Sequence, residues 1–279
     1  MVAFDPIEYA VPVSAADRIR ETAVSAARQA GVIQMRHFRK PAVCCTSLLH
    51  DVKLETDRLC ETAIVAAIRE RFPDHAILTE ESGELPGPGG YRWIIDPLDG
   101  TVNFWHGLPL FCTSIACYRL SNTAAAKSER GLSGAPVVGV VFLPFSRELF
   151  CGMPGRGAFL NEKAIRVGRA QSLAEAVVSV SFGKNPETMR RMRRRLDTLL
   201  PQVRKARCLG AAAAELAYVA AGFLDGLLYE GIKLWDFAAG KIILEEAGGR
   251  LEAAETEPNL WRIAASSPSV LAVLNRLAE

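Results

Sequence analysis

The sequence lacks what would tie it to a membrane or to a disulfide-stapled exterior. No segment reaches the roughly 18 uninterrupted apolar residues that a spanning helix needs. The opening "MVAFDPIEYAVPVSAADRIRE" carries acids early and no basic-then-apolar order, so no secretory leader is expected. Its seven cysteines form no C-x-x-C pair, and Cys44 and Cys45 are adjacent. Such a set reads as free thiols in a reducing compartment. Excess charge of one sign is missing too. With 33 Lys and Arg against 31 Asp and Glu, the net +2 gives no reason to expect nucleic acid or an anionic membrane as the main partner. There is no G-x-x-x-x-G-K-[ST] loop and no evident Ser-His or Cys-His arrangement, which removes P-loop chemistry and an activated side-chain nucleophile. A cytoplasmic, non-membrane protein is expected.

What is present is enough for a sizeable core: 279 residues, 49% hydrophobic. Two halves are expected, an α+β half over 1–145 and an α/β half over 146–279, although they can count as one domain. "SAAD" at 14–17 predicts a helix running to about Phe38, and Ile64, Ile68 and Phe72 predict another over 57–72. Short strands are expected at 76–79, 93–96, 112–118, 137–143 and 148–151, with loops over 85–90 and 123–135. From residue 176 strands and helices alternate: strands 177–181, 226–230 and 262–266, and helices 186–200, 210–222, 236–247 and 268–278. The α+β first half joined to an α/β second half predicts a layered architecture. "RRMRRR" at 190–195 reads as a solvated helix face.

The chemistry is written in "WIIDPLDGTVNF" (93–104), where a buried-looking strand runs into Asp96 and Asp99. Pro97 lacks an N–H and predicts a turn there, and Gly100 permits unusual backbone angles. The two carboxylates can then converge, with the Gly100 and Thr101 amides beside them. Close carboxylates raise each other's pKa unless a cation intervenes, and Mg²⁺ takes oxygen ligands while sharing its shell with water and phosphate. Read alone, this stretch is more often just a turn. Glu80 and Glu81 after "AIL", and Asp236 in "KLWDFAAGKIILEEAGG", add further acids; on its own Asp236 reads as a helix N-cap.

"WIIDPLDGTVNFWHGLP" and "LWDFAAGKIILEEAGG" resemble the two signature segments of the inositol monophosphatase family, and 139–167 resembles its strand-rich middle. The resemblance implies a layered α-β-α-β-α sandwich and Mg²⁺-dependent hydrolysis of phosphate monoesters, usually in a homodimer. Two or three ions per site are implied, with Mn²⁺ a possible substitute, and lithium is implied as an inhibitor. Carried over by position, Glu80, Asp96, Asp99, Asp236 and the Leu98 carbonyl match the metal ligands. Thr101 and Glu80 would orient the attacking water, with Asp57 supporting Thr101. Asp99, Gly100, Thr101 and Asp236 would lie against the phosphate ester. Glu230 and the segment Gly210, Ala211, Ala212 would contact the departing alcohol. Inositol monophosphate is the first candidate substrate. Fructose 1,6-bisphosphate, histidinol phosphate, 3′-phosphoadenosine phosphates, or a non-catalytic regulatory or RNA-binding role are the alternatives. The sequence departs from the family pattern in "CCTSLLHDVKLETD": Leu54 replaces the usual threonine, and Lys53 is the candidate for a missing loop lysine. His106 and the cysteines 112, 117, 151 and 208 read as packing residues.

Overall fold

The computed structural model describes residues 14–40, 44–48, 51–120, 132 and 134–276. Its first layer is a helix pair. In α1 (Ala15–His37) the Ser14 hydroxyl accepts the Asp17 N–H, and Ala23, Ala26, Ala27 and Ala30 present a stripe small enough for close packing. In α2 (Glu55–Arg71) the Asp57 carboxylate accepts the Leu54 N–H at 2.7 Å. A hairpin of β1 (Cys44–Leu48) and β2 (Asp51–Leu54) leads into α2.

The second layer is an eight-stranded sheet. In spatial order it contains β10 (Lys163–Ala164), β9 (Gly157–Leu160), β8 (Glu148–Met153), β7 (Ala135–Leu143), β6 (Cys112–Arg119), β5 (Tyr91–Asp99), β3 (Ala76–Thr79) and β4 (Gly83–Leu85). Only β3 and β5 run parallel, which brings their carboxyl ends together. Alternation along β5 sends Trp93 and Ile95 to α1 and α2, and Ile94 to the opposite core.

That opposite core is the middle layer, α5 (Ala212–Ala220) and α6 (Leu234–Glu246), which also packs on a second sheet. The second sheet runs β12 (Lys205–Arg207), β11 (Val177–Phe182), β13 (Gly226–Ile232), β15 (Leu260–Ser266) and β14 (Arg250–Glu257). Outermost lie α4 (Pro186–Leu199) and α7 (Pro268–Arg276), sharing a third core through Met192, Leu199, Val270 and Leu274. The short α3 (Thr101–Trp105) follows β5. The result is the five-layer α-β-α-β-α sandwich. One core cluster contains residues of both chain halves, from Ile94 to Ala265. No described helix is long and apolar enough to cross a membrane.

Two glycines set the spacing between the first sheet and α6. A Cβ on Gly139 would sit 2.4 Å from the Ala239 carbonyl oxygen, and one on Gly152 would sit 2.8 Å from the Ile243 Cα. Strand and helix backbones therefore meet where any other residue would hold them apart.

The structure changes several expectations. β5 does not end at Asp96: it runs through Pro97 to Asp99, with irregular register between the two aspartates. A bulge needs no ladder donor, so proline is tolerated there. The Pro97 carbonyl is held by the buried Gln34 amide at 2.9 Å. α6 starts at Leu234, so Asp236 stands inside its first turn rather than at the cap. The expected loop 123–135 lies almost entirely outside the described residues. Cys208 is exposed, not a core residue. The arginine run is not uniformly solvated, because Arg195 is buried.

Candidate active site

Several chain segments distant in sequence meet around one cavity of about 660 Å³. β3 delivers Glu80 just beyond its last residue, and its parallel neighbour β5 delivers Asp96, Leu98 and Asp99. Gly100, with φ +83°, turns the chain into α3 and so places Thr101. The first turn of α6 supplies Asp236, and the approach to α5 supplies Gly210 and Ala212. A second hollow of about 600 Å³ lies against Arg28, Val32, Met35 and Phe142 and has no acid in its lining. The carboxylate chemistry belongs to the first.

Each acid is fixed by its own local structure. The Asp96 carboxylate accepts the Leu98 N–H at 3.0 Å, closing the bulge over Pro97. Asp99 accepts the Ala212 and Ala213 N–H groups at 3.2 and 2.8 Å and so caps α5 from another part of the chain. The Cys112 thiol also lies on Asp99, at 3.5 Å. Asp236 accepts the Lys233 N–H at 2.9 Å at the start of α6. The Thr101 hydroxyl sits 3.2 Å from Asp57 Oδ1 and 2.9 Å from the Leu98 carbonyl.

Burial is the main cause of the electrostatics here, and mutual repulsion adds to it. It pushes Glu80 up to about 8, with Asp236 and Glu81 contributing. Asp236 and Asp57 are pushed up to about 7, and Asp99 to about 6. Asp96 is driven well above the usual carboxylate range by burial and by Glu80, Asp99 and Asp236. Lys184 offsets part of the burden on Glu80 and Asp236. Burial, aided by Asp236, keeps the Tyr229 phenol protonated.

Sites of this charge fit a hard cation with oxygen ligands. Among the described residues no three His, Cys, Asp or Glu side chains are placed to hold a metal ion by themselves, as a closed all-protein cage would. Mg²⁺ does not require one, because it usually keeps several waters and takes oxygens from phosphate.

Most of the expected site residues come together, with two exceptions. Glu230 is fully buried on the other face of β13, ion-paired with Arg195. Alternation puts Tyr229 into the cavity and Glu230 beneath it, so the Glu230 carboxylate cannot meet a ligand there. Ala211 is buried outside the cavity lining. The amides of Gly210 and Ala212 are already donated, to Glu215 at 3.0 Å and to Asp99. Leu54 packs with Leu98, Phe104 and Phe111 beneath the site. Lys53 lines the cavity and pairs with Glu81 at 2.9 Å. His106 is exposed beside Trp105.

The sequence reading missed several supports. Glu61 accepts the Thr79 hydroxyl at 2.5 Å, the Glu81 N–H at 3.0 Å and the Ser82 hydroxyl, and so shapes the segment that carries Glu80. Glu215 accepts the Leu209 and Gly210 amides. Asn103 donates to the Leu110 and Leu209 carbonyls at 2.9 and 2.8 Å. Glu215 stands on an otherwise apolar helix face and Glu61 beside Cys60, Ile64 and Ile68 on a buried one, and that misfit was the available signal.

The family model described as "Inositol monophosphatase family" matches residues 15–278. The chain is 38% identical over 231 residues to "Nus factor SuhB" of Pasteurella multocida, covering 81% of this chain and 82% of that protein. It is 36% identical over 242 residues to "Inositol monophosphatase 3" of Solanum lycopersicum, covering 84% and 85%. Among solved structures, the extragenic suppressor protein suhB from Bartonella henselae superposes with a TM-score of 0.84 at 30% identity, covering 94% of this chain and 98% of that one.

Proposed function

The chain belongs to the inositol monophosphatase family, and from that premise we propose that it hydrolyses phosphate monoesters of small alcohols with divalent metal ions. Mg²⁺ is the first candidate, at two or three ions per site, and Mn²⁺ is a substitute. The family is generally metal-dependent and acts on phosphorylated substrates. The observation that carries the reading is the convergence of Glu80, Asp96, Asp99 and Asp236 in one cavity, where burial raises all four and repulsion adds to it at Glu80, Asp96 and Asp236.

Glu80, Asp96, Asp99 and Asp236 would hold the ions, and the Leu98 carbonyl would add a further oxygen. Ions held there would lower the pKa of a bound water and offset charge on the transferring phosphoryl group and departing oxygen. Thr101, steadied by Asp57 and the Leu98 carbonyl, would orient the attacking water together with Glu80. The backbone at Gly100 and Thr101 would face the phosphate. Exclusion of water by Leu98 and the aromatic cluster beneath it would strengthen each of these interactions.

Inositol monophosphate is the first substrate to test, by kinship with proteins that carry that name. A homodimer is part of the same proposal, checked by sedimentation. The deciding experiment measures phosphate release from a panel of monoesters with Mg²⁺ and with chelator. Metal-dependent turnover of at least one ester supports the proposal; no turnover at saturating Mg²⁺ overturns it. In that second outcome a regulatory role gains, a reading favoured by the relatives named "Nus factor SuhB" and by the exposed arginines 190, 193 and 194 on α4.

A further inference from the structure

The hollow beside α1 takes no part in the carboxylate chemistry, yet its walls are closely fitted. A Cβ on Gly31 would sit 2.5 Å from the Phe142 ring and 3.1 Å from the Pro144 Cβ, so the α1 backbone lies directly on the turn after β7. Along that contact runs an open hollow of about 600 Å³. Its floor is apolar: Val32 and Met35 are 51% and 40% exposed, beside Phe142 and Leu149. A second hollow of about 420 Å³ shares Arg28 and Val32 and continues along α1 past Val24 to Arg20.

The rim is cationic. Arg28 and Arg36 stand on α1 and Arg147 on the facing turn, and the first hollow has no acid in its lining. No acid of the described residues lies within ion-pair distance of these three or of Arg20. The acids nearest in sequence are engaged elsewhere: Asp17 with Arg156, Glu21 with Arg71 at 4.0 Å, and Glu148 with the Ser146 and Tyr218 hydroxyls at 2.7 and 3.2 Å. Arg147 is presented by a fixed turn. Its φ is +58°, and Asn161 brackets it by donating to the Arg147 carbonyl at 3.0 Å and accepting the Leu149 N–H at 2.9 Å.

Uncovered aliphatic side chains rimmed by unmatched cations mark an interaction surface. Arg20, Val24, Arg28, Val32 and Arg36 follow at four-residue intervals, and residues so spaced form a ridge by which one helix packs on another. A helix laid there would cover Val24 and Val32 and bring its own flanking side chains against the arginines, where acids are favoured. A nucleic-acid backbone would satisfy the arginines but leave the aliphatic floor between them uncovered, and a bilayer is flat where this surface is concave.

We propose that this face of α1 is a docking surface for a helical segment of another protein, apolar on one side and acidic along its flanks. No residue of the proposed metal site lines it, so the surface is independent of the phosphatase reading.

The test follows the fluorescence anisotropy of a labelled peptide of about five helical turns added to the full chain. Its leucines recur at three- and four-residue spacing, with glutamates flanking them. A counterpart with lysines for the glutamates keeps the apolar side and reverses the charge. The acidic peptide is expected to bind with a Kd of roughly 10–100 μM, the range of a small transient interface, and the basic one at least about tenfold more weakly. Arg28→Glu and Val32→Glu should each weaken the acidic peptide by about tenfold or more, whereas Arg193→Glu on α4 should leave it unchanged. Thermal unfolding checks that each variant is folded. Should Val32→Glu fail to fold, Val32→Ser and Arg147→Ala replace it, with losses of about threefold. Absence of binding up to about 1 mM, equal binding of the two peptides, or equal losses from Arg28→Glu and Arg193→Glu overturns the inference. So does a different occupant: oligouridine RNA, or vesicles of phosphatidylglycerol and phosphatidylcholine, bound through Arg28 while the peptide is not. An oligomer that Val32→Glu dissociates would assign the face to a second copy of this chain, with the same consequence.

Discussion

The Ala213 N–H donates to the Asp99 carboxylate at 2.8 Å, joining residues 114 positions apart in the chain. Through that bond the end of β5 and the start of α5 are placed together, so the acid that belongs to the proposed metal site also completes a helix terminus. Asp99→Asn should therefore harm twice. The carboxamide nitrogen would face an amide donor, at a cost of about 1–3 kcal/mol in stability, and hydrolysis should fall with it. Urea denaturation and phosphate release check the two effects separately.

Asp96→Asn should behave differently. It removes one charge from a repelling cluster at almost constant volume, so the metal-free protein should be no less stable than the parent. Mg²⁺-dependent turnover should fall by about 10² or more, because the charge of a proposed metal ligand is lost. A variant retaining near-full kcat would contradict the assignment.

Stability of the metal-free protein should decline as pH rises. Glu80, Asp236, Asp57 and Asp99 are raised to about 8, 7, 7 and 6, so in this range the folded state binds more protons than the unfolded chain. The stabilisation is complete below the ordinary carboxylate range, near pH 4, and is lost as pH rises through about 6 to 8. Cations favour the deprotonated form. Added Mg²⁺ should thus raise Tm more at pH 8 than at pH 5.5, measured by calorimetry; an equal shift at both would refute the coupling.

Glu61→Ala would leave the Thr79 hydroxyl and the Glu81 N–H without their partner. A loss of about 1–3 kcal/mol in stability is expected, together with about 10- to 100-fold weaker metal activation, because the Glu80 segment loses its support. Titrating activity against Mg²⁺ concentration measures the second effect.

Glu230→Gln separates structure from recognition. Breaking its buried pair with Arg195 should cost about 3–5 kcal/mol, read as a lower denaturation midpoint. KM for every ester should stay near the parental value, since the side chain does not line the cavity. A rise in KM confined to polyol esters would restore Glu230 to the alcohol.

Much of this architecture was legible because helix and strand periods differ. Ser14 and Asp17 marked the start of α1, and Ile64 and Ile68 marked the buried face of α2. Acids at the ends of apolar strands, Glu80, Asp96 and Asp99, pointed to the site. What stayed hidden depends on contacts between distant segments. Nothing local announces that Asp99 caps α5 or that Gln34 holds the Pro97 carbonyl. Glu230 was misplaced because one residue of register decides which side of a strand a side chain takes. The Pro97 bulge was hidden because proline forbids a ladder bond without forbidding an extended backbone.

The glycines at 139 and 152 give the site a mechanical vulnerability outside the lining of the cavity. They let α6 rest directly on the first sheet, and Asp236 rides on that helix one turn before Ala239. A single added methyl group at either position would act as a shim, lifting the second signature away from the first. The active centre is thus gauged by the absence of two side chains, and inactivating substitutions should occur where no substrate ever reaches.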